Sequence, residues 1–300
     1  MSIRRILVGI CLAVIVSACS GGEAGSAPSR PESSMGDHET SSVEMVDSGS
    51  WYVHERWPHD GRPIESENFV VYSDAASPAA RREMSDAAER LWAELLDEFG
   101  VTPEVHRFPS GQEKIDIYAY HDHYPQGWSG RAYIGGLLIW SPDHGLRQFA
   151  PDGYEPTLKH ELIHVLQWMF AVSHGRIDTW FIEGLPLALA NDLAGEPIRD
   201  LEQLNDLIAE YGTINPISIK QYSQITDPEA GEHFYYPMFQ LAFEYLLADD
   251  GLGRSPTDAR NVMIDMDGGA TFQTAFEDAM GLRLEEFERE FFDLMSEYLR

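Results

Sequence analysis

A chain of 300 residues with 43% hydrophobic content can bury a sizeable core, which excludes a disordered protein. Its formal net charge of −29, from 50 acidic against 21 basic side chains, repels phosphate backbones and speaks against nucleic acid as a partner. The two cysteines, Cys11 and Cys19, offer no disulfide framework, so stability must come from the core and from any bound metal.

Met1 to Cys19 read as an export signal. Arg4 and Arg5 precede an apolar run from Ile6 to Val16, which is too short to span a bilayer as a permanent helix. Val16-Ser17-Ala18-Cys19 resembles the lipobox of bacterial lipoproteins, in which cleavage leaves the cysteine as a lipidated N-terminus. That resemblance implies a signal peptide over residues 1–18 and a membrane anchor at Cys19. It places the protein in the cell envelope, on the periplasmic or extracellular side. An ordinary secretory signal cut near Ala18 is the alternative. Cleavage removes two Arg and no acid, leaving 19 basic against 50 acidic side chains, a net −31.

Residues 19–50 are rich in Ser, Gly, Glu and Pro and read as a flexible tether, with the folded domain spanning 51–300. Phe69 to Tyr72 forms the first strand candidate. After Pro78, Met84, Ala88, Leu91, Leu95 and Phe99 recur at helical spacing up to Gly100. Lys114 to Tyr120 alternates as a strand, with Ile115, Ile117 and Ala119 on one side. Arg131 to Trp140 offers another, interrupted at Gly135-Gly136. Helices are expected at about 156–172, 179–193, 200–211, 232–249, 270–280 and 284–299. Strands first and helices afterwards predict an α+β fold, a small β-sheet lobe with a packed helix followed by a mostly helical lobe, with the active-site cleft between them.

His160-Glu161-Leu162-Ile163-His164 carries the chemistry. Positions i and i+4 share one face of a helix, so both imidazoles can point at one ion, while Glu161 can reach a metal-bound water without binding the metal. A catalytic zinc takes three protein ligands and keeps a fourth position open, so a third donor is required. Glu183, in Trp180-Phe181-Ile182-Glu183-Gly184-Leu185, sits on an apolar helix where a carboxylate needs a cation or a metal beside it. An ordinary acid near a helix start is the plainer reading, and Asp178 and His174 are further candidates for the third ligand.

H-E-L-I-H followed at this distance by W-F-I-E-G-L resembles the gluzincin zinc metallopeptidases, in particular the bacterial peptidase MA-like domains. The likeness extends over most of residues 63–300. It implies a zincin-like fold, Zn2+ held by His160, His164 and Glu183, Glu161 as the general base, and a peptide or protein substrate. The metzincin pattern would place Gly at 167 and His at 170, where this chain has Gln167 and Phe170. In related gluzincins a tyrosine opening a later helix donates to the oxyanion. Here that resemblance points to Tyr236, with Tyr235 and His233 behind it.

Gly135-Gly136 and Leu137 to Trp140 are a candidate edge strand for pairing with an extended peptide, or an ordinary core strand. The G-A-M-E-N segment with which aminopeptidase relatives capture a free amino terminus is absent before residue 160, which favours endopeptidase action. Asn191 or Asp192 could orient a ligand histidine. A non-catalytic zinc- or peptide-binding envelope lipoprotein is the alternative, and Glu161 speaks against it, because a structural zinc needs no base.

Overall fold

The computed structural model describes residues 59–102, 112–122, 130–144, 153–171, 177–194, 217, 220, 235–249 and 251–298. Cys19, the tether over 19–50, His174, His233 and the helix expected at 200–211 lie outside the described residues, as do the side chains of Asn191 and Asp192.

Five strands form one mixed sheet: β1 (Ile64–Glu65), β2 (Phe69–Tyr72), β3 (Ile115–Tyr120), β4 (Gly130–Tyr133) and β5 (Gly136–Trp140), in the order β1-β2-β3-β5-β4. The three inner strands run parallel, and β1 and β4 pair antiparallel at the two edges. All six residues of β3 are buried, Asp116, Tyr118 and Tyr120 included, because a central parallel strand is covered on both faces.

The stretch expected as one interrupted strand over 131–140 is a hairpin instead. Ile134-Gly135 turns the chain between β4 and β5, and Gly135 has the left-handed φ of +82° that glycine tolerates best. Leu137–Trp140 therefore lies inside the sheet, and β4 forms the edge, so the candidate edge strand is corrected from 136–140 to 130–133.

Helix α1 (Pro78–Glu98) joins β2 to β3. Ser77 caps it by accepting from the Ala80 N–H, and Pro78 fills the first position, where no N–H is needed. Its stripe of Met84, Ala88, Leu91 and Leu95 is fully buried, and the helix packs on β1 and β2. The remaining described helices are α2 (Glu155–Phe170), α3 (Thr179–Ala194), α4 (Tyr236–Leu247), α5 (Pro256–Asp267), α6 (Phe272–Met280) and α7 (Leu284–Tyr298). The α+β expectation holds: a small mixed sheet comes first and a helical part follows.

Helix α5 was not among the expected helices, although its start signal is present. Ser255 and Asp258 form a reciprocal capping box, and Pro256 occupies the first position. Its buried positions, Ala259, Val262, Met263 and Met266, make a weak apolar stripe, and tertiary contact supplies the rest. Arg260 Nη1 donates to the carbonyls of Phe99 and Gly100 at 2.7 and 2.6 Å, closing the C-terminus of α1. Among the described residues no helix is long and apolar enough to cross a membrane.

Helices α3 and α4 approach closely at Gly184. A Cβ there would lie 2.5 Å from the Phe239 carbonyl oxygen and 2.7 Å from Phe243 Cδ2. Gly184→Ala is expected to force the helices apart, at a cost of about 1–3 kcal/mol for overpacking. Thermal unfolding should show the loss at about 2–4 °C per kcal/mol for a domain of this size. A variant that melts with the wild type would show that the pair yields freely at this point.

Candidate metal centre

Helix α2 brings His160 and His164 onto one face, as the i, i+4 spacing dictates. Their Nε2 atoms converge to 3.1 Å, with the rings edge to face at a centroid distance of 4.8 Å. Helix α3 packs against α2 and carries Glu183, whose Oε2 lies 3.5 Å from His164 Nε2. One donor atom from each of the three residues lies within 4.8 Å of the others, a group that could hold a metal ion.

Metal–ligand bonds of 2.0–2.1 Å in a tetrahedron place ligand atoms about 3.3–3.4 Å apart. The observed 3.1 and 3.5 Å bracket that spacing for two of the three pairs and the third lies within 4.8 Å, so the donor set suits zinc in chemistry and is close to it in size. Electrostatics agree. Burial, reinforced by His164, pushes His160 down to about 3, leaving a neutral imidazole with a lone pair on one ring nitrogen. Burial would lower His164 as well, but Glu183 opposes it and raises His164 overall. The pocket thus favours positive charge at the point where the three donors meet.

Glu161 is only 6% exposed. Its side chain lies on the edge strand, where a Cβ at Gly130 would come within 2.6 Å of Glu161 Oε1. The Ala132 backbone N–H donates to its carboxylate. Burial raises Glu161 to about 7; Glu183 adds to the rise, while His164, the Ala132 bond and Arg131 oppose it. A carboxyl that titrates near neutrality beside a cation-favouring pocket can take up and release a proton at working pH.

Tyr236 opens α4, as expected. It is half-buried, its ring packs on Phe239 and its helix packs on α3. Tyr235 precedes it and also packs on Phe239. Asp178, the alternative third donor, is engaged elsewhere: it is buried with Oδ2 2.9 Å from Lys220 Nζ, which also lies 3.5 Å from Glu288.

Two residues of the site were not singled out by sequence reasoning. Gln167 accepts from His164 Nδ1 at 2.7 Å; its signal was its place one turn beyond His164 on the same helix face. Gly130 borders Glu161 only through tertiary folding and carried no local signal.

The Asp178–Lys220 pair lies at the N-terminus of α3. Lys220→Met would leave a buried carboxylate without its cation. It should destabilise the fold by about 1–3 kcal/mol, allowing for the partial exposure of Lys220. Urea unfolding reads this directly, and an unchanged midpoint would mean that Asp178 finds another partner at no cost.

No protein-family model matches the chain, and no curated protein matches it. Among solved structures it is similar to an M1 zinc metallopeptidase from Deinococcus radiodurans, with 16% identity and a TM-score of 0.43, over 78% of this chain and 50% of that one. A mutant of that enzyme bound to a Tyr-Ser-Ala substrate gives 15% identity and a TM-score of 0.44, over 78% and 51%. The chain spans about half the length of these proteins, and at this level of likeness nothing about activity follows from them.

Proposed function

We propose that the protein is a zinc-dependent peptidase of the gluzincin type, with His160, His164 and Glu183 as metal ligands and Glu161 as general base. The observation that carries this reading is the buried Glu161 carboxyl beside the three converging donors, held by the Ala132 N–H and raised to about 7. A site that only stabilised the fold would need no such group.

Zinc, when bound, supplies Lewis acidity toward a peptide carbonyl and acidifies water. Glu161 takes a proton from the attacking water and returns it to the leaving amine as the C–N bond breaks, and its near-neutral pKa serves both directions. Tyr236, at the start of the helix packed on α3, is proposed as the donor to the oxyanion.

Strand β4 supports a peptide substrate. Ala132 turns its N–H away from β5 and toward Glu161, so the outer edge of β4 lies next to the base, and no described strand pairs with that edge. An extended chain added there would bring its carbonyls past Glu161. Internal cleavage fits an open strand edge, so we assign endopeptidase action. By the sequence around Cys19, we place the enzyme in the cell envelope on a lipid anchor.

Three sets of variants of the soluble domain test the reading, using metal analysis and cleavage of an unbiased peptide library. His160→Ala and His164→Ala should lose stoichiometric zinc, and Glu183→Ala should bind it more weakly by roughly tenfold or more. Glu161→Gln should keep zinc and lose about 10²–10⁴ in turnover. Gly130→Ala should also keep zinc, yet lose on the order of tenfold or more, because the added methyl displaces the Glu161 carboxylate. A Glu161→Gln enzyme within tenfold of wild type would rule out Glu161 as the base. Zinc binding without cleavage in every protein would replace the peptidase reading by a non-catalytic one.

A further inference from the structure

Pro186 lies inside α3, where residue 186 would normally donate its backbone N–H to the carbonyl of residue 182. Proline has no such hydrogen, and the Ile182 carbonyl is left without its helical donor. Gln167 meets it from the neighbouring helix: Nε2 donates to the Ile182 oxygen at 2.9 Å, from a side chain that is fully buried.

That bond decides more than packing. A carbonyl can only accept, so the NH2 end of the Gln167 amide must face α3. Oε1 then faces His164 Nδ1 at 2.7 Å, and because an amide oxygen also only accepts, Nδ1 must carry the proton. Nε2 of the neutral ring keeps its lone pair, at the point where His160 Nε2 and Glu183 converge. The same bond holds α3 at Ile182, one residue before Glu183.

We propose that Gln167 is a positioning residue of the metal centre whose own orientation is set by Pro186. The carbonyl freed by the proline orients the amide, the amide selects the tautomer of His164, and one buried side chain sets the register of the two donor-bearing helices. The affinity half of the test rests on the zinc reading above; the stability half does not.

Gln167→Leu, Pro186→Ala and the double variant are compared by zinc affinity in a chelator competition and by melting of the metal-free proteins. Gln167→Leu removes both bonds and should weaken zinc by about 10–100-fold. It should also lower the melting temperature by roughly 2–8 °C, since the Ile182 carbonyl loses its donor. Pro186→Ala restores a backbone N–H that competes with Gln167 for that carbonyl, so it should weaken zinc by a smaller factor in the otherwise wild-type chain. In the Gln167→Leu background it satisfies the orphaned carbonyl. There it should raise the melting temperature by more than it does alone, while leaving zinc affinity low.

Additive effects of the two substitutions on melting would overturn the proposal, and so would a Gln167→Leu protein that binds zinc within about twofold of wild type. If the wild type itself takes up no zinc, the reading of the site falls instead, and the melting cycle still decides whether Gln167 and Pro186 act as a unit.

Discussion

The site depends on one helix being gripped from two sides. Helix α2 packs on β4 and β5 through one face and on α3 through another, and Leu158, Leu162, Ile163, Val165 and Leu166 are all fully buried. Each such side chain contributes about 1.5–3 kcal/mol relative to exposure. Those contributions oppose the cost of carrying Lys159, Glu161 and Gln167 into the interior on the same helix. Each of the three is answered locally: Lys159 by Glu98 at 3.5 Å, Glu161 by the Ala132 N–H, and Gln167 by His164 and Ile182. A helix buried on one side only would have left its histidine pair in water, where solvent screens the fields that set their protonation.

Helix α3 is held from the opposite direction by aromatic side chains. Trp180 and Phe181 lie among Phe243, Phe272, Phe276 and Phe287, with ring centroids 5.0 to 6.4 Å apart. The Trp180 Nε1 has no hydrogen-bond partner in this nest, a cost of roughly 1–3 kcal/mol that the packing of the indole offsets. Glu183 follows within one turn. Helices α6 and α7, far from the donors in sequence, thus supply part of the wall that aims the third one.

Burial acts on neighbouring groups in opposite directions on the pH scale and to the same chemical end. It lowers His160 and raises Glu161, so each is pushed toward its neutral form. A neutral imidazole offers a lone pair, and a carboxyl near neutrality exchanges protons. Only His164 is drawn toward positive charge, because Glu183 faces it. A chain with a formal charge of −29 has many carboxylates, and what sets this cluster apart is desolvation rather than acidity.

Much of the site was legible in the sequence, because helical periodicity is a local property. The spacing of His160 and His164 dictates their shared face whatever surrounds them, and the apolar neighbours of Glu183 marked it as a carboxylate needing a positive partner. The stripe of α1 is local in the same sense; the caps of α5 are local too, but the weak apolar stripe behind them marked no helix. What the chain alone could not decide were contacts between segments distant in sequence. Residues 131–140 carry strand chemistry on both sides of Gly135-Gly136, but only pairing of Leu137–Trp140 with β3 makes that half interior and leaves Gly130–Tyr133 at the edge beside Glu161. Asp178, just before α3, and Glu183, within it, are both acids, and only folding gives the first to Lys220 and the second to His164. Gln167 and Pro186 are unremarkable residues nineteen positions apart until two helices pack and a carbonyl that has lost its N–H meets an amide that can replace it. The sequence by itself determined which candidate residues share a helix face, because that follows from 3.6-residue periodicity alone. Tertiary structure decided which of them meet, because that depends on burial and on hydrogen bonds that no local pattern encodes.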